Sequence, residues 1–177
     1  MKSYVALLRG INVGGNKKVS MAELKAMLEK LGFEKVKTLL NSGNVIFETD
    51  KDFSTLKNLL ETNFENKFGF KSNFIVIPSE IILKLIDDDP FKDIVVNKDT
   101  RLYVTFLSER PTSKLEIPYS SENGEFKILK VTDSAIVSVL QLTPSSRTVD
   151  LMKIIEKEFG KNVTTRNWNT VKKLIQE

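Results

Sequence analysis

The chain reads as an α+β protein with mainly antiparallel sheets, and three observations say so. Residues 1–78 alternate strand-like and helix-like segments in the order βαββαβ, the split-βαβ or ferredoxin-like unit. Residues 79–177 run instead as strands followed by helices, the rhythm of an α+β arrangement. The first and fourth strand-like segments are apolar on both faces, which requires cover on both. These patterns predict two packed subdomains, residues 1–78 and residues 79–177, with no sequence repeat between them.

The first strand is expected from Ser3 to Arg9, with Tyr4, Ala6 and Leu8 on one face and Val5 and Leu7 on the other. A helix follows, opened by a Ser20-x-x-Glu23 capping box and a Val19–Leu24 staple, and closed at Gly32. Leu24, Met27, Leu28 and Leu31 form its apolar stripe. The second strand is expected from Lys35 to Leu40 and the third from Val45 to Thr49, joined by the turn Asn41-Ser42-Gly43-Asn44. A second helix starts near Asp52, places Leu56, Leu60, Phe64 and Phe68 at i, i+4 spacing and stops at Gly69. The fourth strand, Asn73 to Ile77, ends at Pro78.

Beyond it a short helix is expected from Ser79 to Ile86, ending in Asp87-Asp88-Asp89-Pro90. Strands follow at Arg101 to Leu107, Glu125 to Val131 and Ala135 to Leu142. The last two elements read as helices, near Ser146 to Phe159 and Thr165 to Gln176.

Composition removes several chemistries. The chain has no cysteine and no histidine. Disulfides, thiolate ligands, thiol nucleophiles and the usual imidazole base are therefore excluded. No metal or cofactor is expected. Asp87-Asp88-Asp89 lies at a helix end before a proline and reads as a solvated turn, since a hard cation needs oxygens converging from several elements. No apolar run reaches the length of a signal h-region or a membrane span, so no membrane association is expected and the cytoplasm is the default. The net charge of +4 is uneven: residues 1–50 and 161–177 each carry +3 and the middle carries −2. Cations gathered at the two ends of the chain suit an anionic partner.

The stretch Leu7-Leu-Arg-Gly-Ile-Asn-Val-Gly-Gly-Asn-Lys-Lys-Val-Ser20 invites comparison with a phosphate-binding P-loop. Gly10 and Gly15 have the right separation, but Asn16 stands where the P-loop lysine belongs, and Lys18 follows Lys17 where a hydroxyl is required. Ser20 and Glu23 also occupy the helix N-terminus that a phosphate would use. The glycines instead mark either a tight loop anchored inward by Ile11 and Val13, or a backbone nest for an anion. Topology favours a site. In a βαββαβ unit the loop after the first strand and the turn between the second and third strands share one end of the sheet. Arg9, Gly10, Asn12, Gly14, Gly15, Asn16 and Lys17 should therefore lie near Ser42, Gly43 and Asn44.

The run Thr164-Thr-Arg-Asn-Trp-Asn-Thr170 is the other constellation. Placed on a helix, Trp168, Val171, Leu174 and Ile175 share an apolar face, so the one tryptophan is a core anchor. Asn167 falls at the edge of that face, where a buried amide must find partners. Arg166 and Asn169 point the other way and are candidate ligand residues. Arg147, with Ser145, Ser146 and Thr148, opens the preceding helix, either as capping or as an anion site. The third strand, NVIFET, lacks the aromatics of an RNA-recognition sheet.

Taken together, LLRGINVGGNKKVSMAEL, NSGNVIF and TTRNWNTVKKL resemble the bacterial domain-of-unknown-function family sixteen-ninety-seven, over essentially the whole chain. The resemblance implies two ferredoxin-like subdomains, adding the plait for the second half. It implies no activity, for the family has none established. Its signature positions here are Arg9, Gly10, Asn12, Gly14, Gly15, Ser42, Gly43, Asn44, Thr165, Arg166, Asn167, Trp168 and Thr170. Where the family often has Arg-Ser-Lys at the start of the helix before the last motif, this chain has Arg147-Thr148-Val149. A family ligand relying on that lysine would bind differently here, or not at all.

The leading expectation is a protein that binds an anionic ligand, a phosphorylated metabolite or a nucleic-acid backbone. Two alternatives stand beside it. One is an enzyme acting without histidine or cysteine, in which Arg9, Arg166 and loop N–H groups stabilise charge and Ser42 or a carboxylate moves protons. The other makes the motifs architectural, within a protein-interaction module.

Overall fold

The structure is a computed structural model that describes residues 1–145 and 148–176. The chain divides into two compact units, Met1–Leu83 with the residues from Lys173 onward, and Lys84–Lys172.

The first unit is a ferredoxin-like plait. Its strands are β1 (Lys2–Leu8), β2 (Glu34–Leu39), β3 (Asn44–Thr49) and β4 (Phe74–Pro78). They pair antiparallel in the order β2-β3-β1-β4. Helices α1 (Met21–Lys30) and α2 (Phe53–Phe68) lie between strands as the sequence pattern requires. The Ser20 hydroxyl accepts from the Glu23 N–H at 3.4 Å, and Asp52 caps α2 through the Ser54 N–H at 2.8 Å. Gly69 ends α2 in the left-handed conformation. Tyr4, Ala6 and Leu8 pack with Leu24, Leu28, Phe47, Leu60 and Phe64 into one core, while Val5, Leu7, Ile75 and Ile77 on the opposite sheet face are buried as well. Each such side chain contributes roughly 1.5–3 kcal/mol on burial.

The β4 edge of this sheet is blunted at both ends. Arg9 N–H bonds the Asn73 carbonyl, so by antiparallel alternation the backbone of Phe74, Val76 and Pro78 faces away from β1. The Phe74 N–H is taken by the Glu61 carboxylate at 3.0 Å, and Pro78 has none. A sheet edge blunted in this way resists strand addition.

Helix α3 (Ser79–Asp87) carries the chain across the boundary between the units. The second unit contains β5 (Thr100–Leu107), β6 (Tyr119–Ser120), β7 (Phe126–Val131), β8 (Ala135–Gln141), α4 (Thr148–Phe159), β9 (Val163–Asn167) and most of α5 (Trp168–Lys173). Its sheet is antiparallel in the order β6-β7-β8-β5-β9. Without the two-residue β6, that order repeats the first unit's: second, third, first and fourth strand. A long connection holding β6 stands where the plait would have its first helix. Leu151 and Ile155 of α4 pack on Ile128, Ile136, Leu140 and Val163.

One element differs in kind from expectation. Thr165, Arg166 and Asn167 belong to strand β9, and only Trp168–Lys173 is helical. The β-branched run Val163-Thr164-Thr165 pairs with β5, and β-branched side chains favour the pleated surface over a helix. Asn167 then caps the helix, its side-chain oxygen accepting from the Thr170 N–H at 2.9 Å. Asn167 is exposed, so the expected buried amide is instead a surface cap. Trp168 is buried against Phe91, their ring centroids 5.2 Å apart, and is a core anchor as expected. The expected helix start at Ser146 and Arg147 lies outside the described residues.

Candidate functional site

Three loops meet at the end of the first unit's sheet where β1 finishes. The Leu8 N–H bonds the Gly43 carbonyl at 2.8 Å, joining β1 to the β2–β3 turn. The Arg9 N–H bonds the Asn73 carbonyl at 3.2 Å, and the Ser72 hydroxyl donates to the Arg9 carbonyl at 3.1 Å. These bonds add the α2–β4 loop. The Lys17 ammonium lies 5.9 Å from the centre of the Phe70 ring, a further contact with that loop. The β1–α1 loop and the NSGN turn thus share one rim.

Asn12 ties the rim together. Its amide donates to the Val19 carbonyl at 3.0 Å and to the Asn41 carbonyl at 2.8 Å, and its oxygen accepts from the Val19 N–H at 2.8 Å. One side chain closes the β1–α1 loop on itself and fastens it to the neighbouring turn. Asn44 is fully buried, donating to the Leu39 carbonyl and to the Ser42 hydroxyl, both at 2.9 Å. Gly43 has φ +75°, and a Cβ there would stand 2.7 Å from Leu8 Cβ and 2.8 Å from Ile11 Cδ1. Only glycine fits a backbone that close and that left-handed. The Ser42 oxygen receives a hydrogen bond from an amide in this contact, which does not activate it as a nucleophile.

The glycine pair has a different task. Val13 and Asn16 form an antiparallel bridge, and the Asn12 N–H bonds the Lys17 carbonyl at 3.1 Å. Between them Gly14 and Gly15 have φ of +63° and +77°. Positive φ at both central residues is the geometry of a two-residue type I′ hairpin. Residues 12–17 therefore form a tight hairpin loop, a ribbon of one bridge, in which Asn12 and Lys17 also have left-handed φ of +54° and +51°. Ile11 is buried at its base, but Val13 is 69 % exposed at its tip, so the expected inward anchoring holds for Ile11 alone.

Of the residues proposed from sequence, Asn12, Gly43 and Asn44 build the rim. Gly14, Gly15, Asn16 and Lys17 stand exposed on the ribbon, with Arg9 half-buried and Gly10 exposed at its base. Lys18 and Lys71, both exposed, belong to the same rim and were not among those candidates. Antiparallel pairing of β4 with β1 brings the start of β4 to the end of β1, so the same topological argument would have found Lys71. Loops 9–20, 40–43 and 69–73 together hold four cations and no carboxylate. That equals the formal charge excess of the whole protein, +4.

Arg166 and Asn169 belong to the second unit, and Arg147 is outside the described residues. Arg166, half-buried on β9, donates from Nη1 to the Thr164 hydroxyl at 2.8 Å and the Thr165 carbonyl at 3.0 Å. Burial pushes its pKa down to about 10, which leaves it cationic at neutral pH. Asn169 is exposed on α5. A cleft of about 560 Å³ in the first unit, walled by Tyr4, Phe53, Pro78 and Leu83, lies toward the opposite end of β1 and includes none of the sequence-proposed residues. Among the described residues no group of three or more acidic side chains is placed to hold a metal, and Asp88 pairs with Lys130 at 3.6 Å. No helix among them is long and apolar enough to cross a membrane.

Residues 1–136 match a family of proteins of unknown function, DUF1697, and the chain belongs to that family. The resemblance carried by the LLRGINVGG and NSGN motifs is borne out. Among solved structures the chain is similar to a conserved bacterial protein, SP0830, from Streptococcus pneumoniae. The two are 25 % identical with a TM-score of 0.74, over 98 % of this chain and 96 % of that one. No curated protein matches the chain.

Proposed function

We propose that the rim of the first unit binds a polyanion, the sugar–phosphate backbone of a nucleic acid. The observation that carries this reading is the placement of Arg9, Lys17, Lys18 and Lys71, without a carboxylate, on two of three loops tied by hydrogen bonds. A phosphorylated small molecule is the weaker candidate. Sites for small ligands enclose most of the ligand in a concavity. Here Lys17, Lys18 and Lys71 are exposed and spread over two loops, which suits an extended chain of charges.

The test is a salt titration of oligonucleotide binding followed by fluorescence anisotropy. Neutralising four phosphates of a duplex gives a slope of log affinity against log salt of about −3 to −4. Replacing Lys17, Lys18 or Lys71 by alanine should reduce that slope by about 1 each and weaken binding to every sequence alike. A flat response, or a slope unchanged by all three substitutions, contradicts the proposal.

A further inference from the structure

We infer that the cleft near the start of β1 is a separate binding site, and that its ligand is a free aromatic α-amino acid held as the zwitterion. The inference does not rest on the rim, for this cleft lies toward the other end of β1.

The cleft has the size and lining of a small-ligand site. Its volume of about 560 Å³ falls within the roughly 300–1,000 Å³ that such sites occupy, and every lining residue belongs to the first unit. Phe53 and Leu83, both on its walls, are 47 % and 44 % exposed. Large apolar side chains exposed side by side mark a binding surface more than scattered ones do. Phe53 stacks on Tyr4, with ring centroids 5.6 Å apart and planes 14° from parallel. An aromatic ring placed against Phe53 extends that stack.

Tyr4 supplies the observation that points to a ligand. It is 4 % exposed and lines the cleft, yet among the described residues its hydroxyl has no hydrogen-bond partner. Nor is that oxygen sealed in the core, where among the described residues only Asn73 and Ser138 hold unpaired side-chain atoms. A hydroxyl on so buried a side chain ordinarily has a partner, and here the cleft is where one can reach it. Ser3 and Ser79 add a second donor on the same wall. Their hydroxyls are 2.7 Å apart, which uses one of their two protons and leaves the other for an acceptor.

Charge fixes the class. Lys2 and Glu80 both line the cleft, both are exposed, and neither forms an ion pair among the described residues. The Asp52 carboxylate feels the Lys2 charge, but its hydrogen bonds go to Ser54. A ligand with a single charge meets one of Lys2 and Glu80 as a like charge. A zwitterion suits both, its carboxylate toward Lys2 and the spare serine proton, its ammonium toward Glu80. An α-amino acid carries the two charges on one carbon and leaves its side chain to meet Phe53, Pro78 and Leu83.

Isothermal titration calorimetry of the full-length protein with L-phenylalanine tests this, against 3-phenylpropionate, which lacks the ammonium, and phenethylamine, which lacks the carboxylate. L-phenylalanine should bind saturably at one site, and each analogue about ten- to a hundredfold more weakly, the worth of a hydrogen bond to a charged group. Glu80→Gln should bring L-phenylalanine down to the affinity of 3-phenylpropionate, and Lys2→Met down to that of phenethylamine. Tyr4→Phe should weaken binding about two- to tenfold with a thermal melt like wild type, because the hydroxyl has no partner within the fold to lose. No binding at millimolar ligand, analogues or L-leucine bound as tightly, or an affinity indifferent to Glu80→Gln and Lys2→Met overturns the inference. None of these outcomes touches the rim, whose salt-dependent binding is a separate measurement.

Discussion

At the scale of single residues, the glycines of the rim do two unlike jobs. Gly43 is held by contact as well as conformation, because a Cβ there would press into Leu8 and Ile11. Gly14 needs only its positive φ, for an added Cβ would meet nothing within 4 Å. Gly43→Ala should therefore combine left-handed strain with overpacking and lower stability by about 2–5 kcal/mol. Gly14→Ala should cost only about 1–2 kcal/mol. Chemical denaturation of the two variants checks this, and equal losses would show that the close approach at Gly43 is relieved by movement. From sequence, Gly14 was a candidate for an anion nest and Gly43 a turn residue on the same rim. Their separation into a packing residue and a turn residue depends on which backbone passes nearby, and spacing does not encode that. Asn12 was legible as a rim residue, but its three hydrogen bonds make it a fastener rather than a ligand group.

At the scale of elements, the helix signals were the clearest. Ser20 and Asp52 cap α1 and α2, because a short side chain that satisfies an N-terminal N–H is a local interaction needing no tertiary information. The Asp52 cap has a pH signature. The Ser54 hydroxyl and N–H both donate to its carboxylate at 2.8 Å, hydroxyl foremost, and hold its pKa below the ordinary 3.8. A depressed folded-state pKa means that the unfolded chain binds the proton more readily. Its stabilisation is then complete above about pH 3.8 and disappears as pH falls through the lower folded value. Asp52→Ala should lower Tm at pH 7, and the gap from wild type should narrow below pH 3.8. A gap that stays constant into acid would contradict the assignment of the cap to the carboxylate. The end of the chain was misread for a physical reason. Thr165 to Asn167 carry polar and β-branched side chains compatible with either state, and the apolar spacing from Trp168 onward extended a helix too far back. Pairing of β9 with β5, with the Thr105 and Thr165 hydroxyls 2.8 Å apart, decides for a strand. That contact spans 60 residues, and no local pattern announces it.

At the scale of the whole molecule, the sequence carried the plait of the first unit because βαββαβ order and strand polarity leave few topologies. The second unit was harder. Its sheet repeats the same strand order, but the first crossover has no helical periodicity and holds only the two-residue β6, too short to signal itself. The candidate rim followed from chain direction alone, and the structure brings its loops together through the Leu8–Gly43, Arg9–Asn73 and Asn12–Asn41 hydrogen bonds. The rim's four cations, Arg9, Lys17, Lys18 and Lys71, equal in number the protein's net charge of +4, and the remaining charges sum to zero. A cluster of cations without a carboxylate at one end of one unit orients a polyanion as well as attracting it. Chemical-shift mapping of the isotope-labelled protein during titration with a short duplex tests this most directly. The account predicts that perturbed amides fall in residues 9–20, 40–43 and 69–73 and fade together as salt is raised. Perturbations centred on the second unit, or none at low salt, would contradict it.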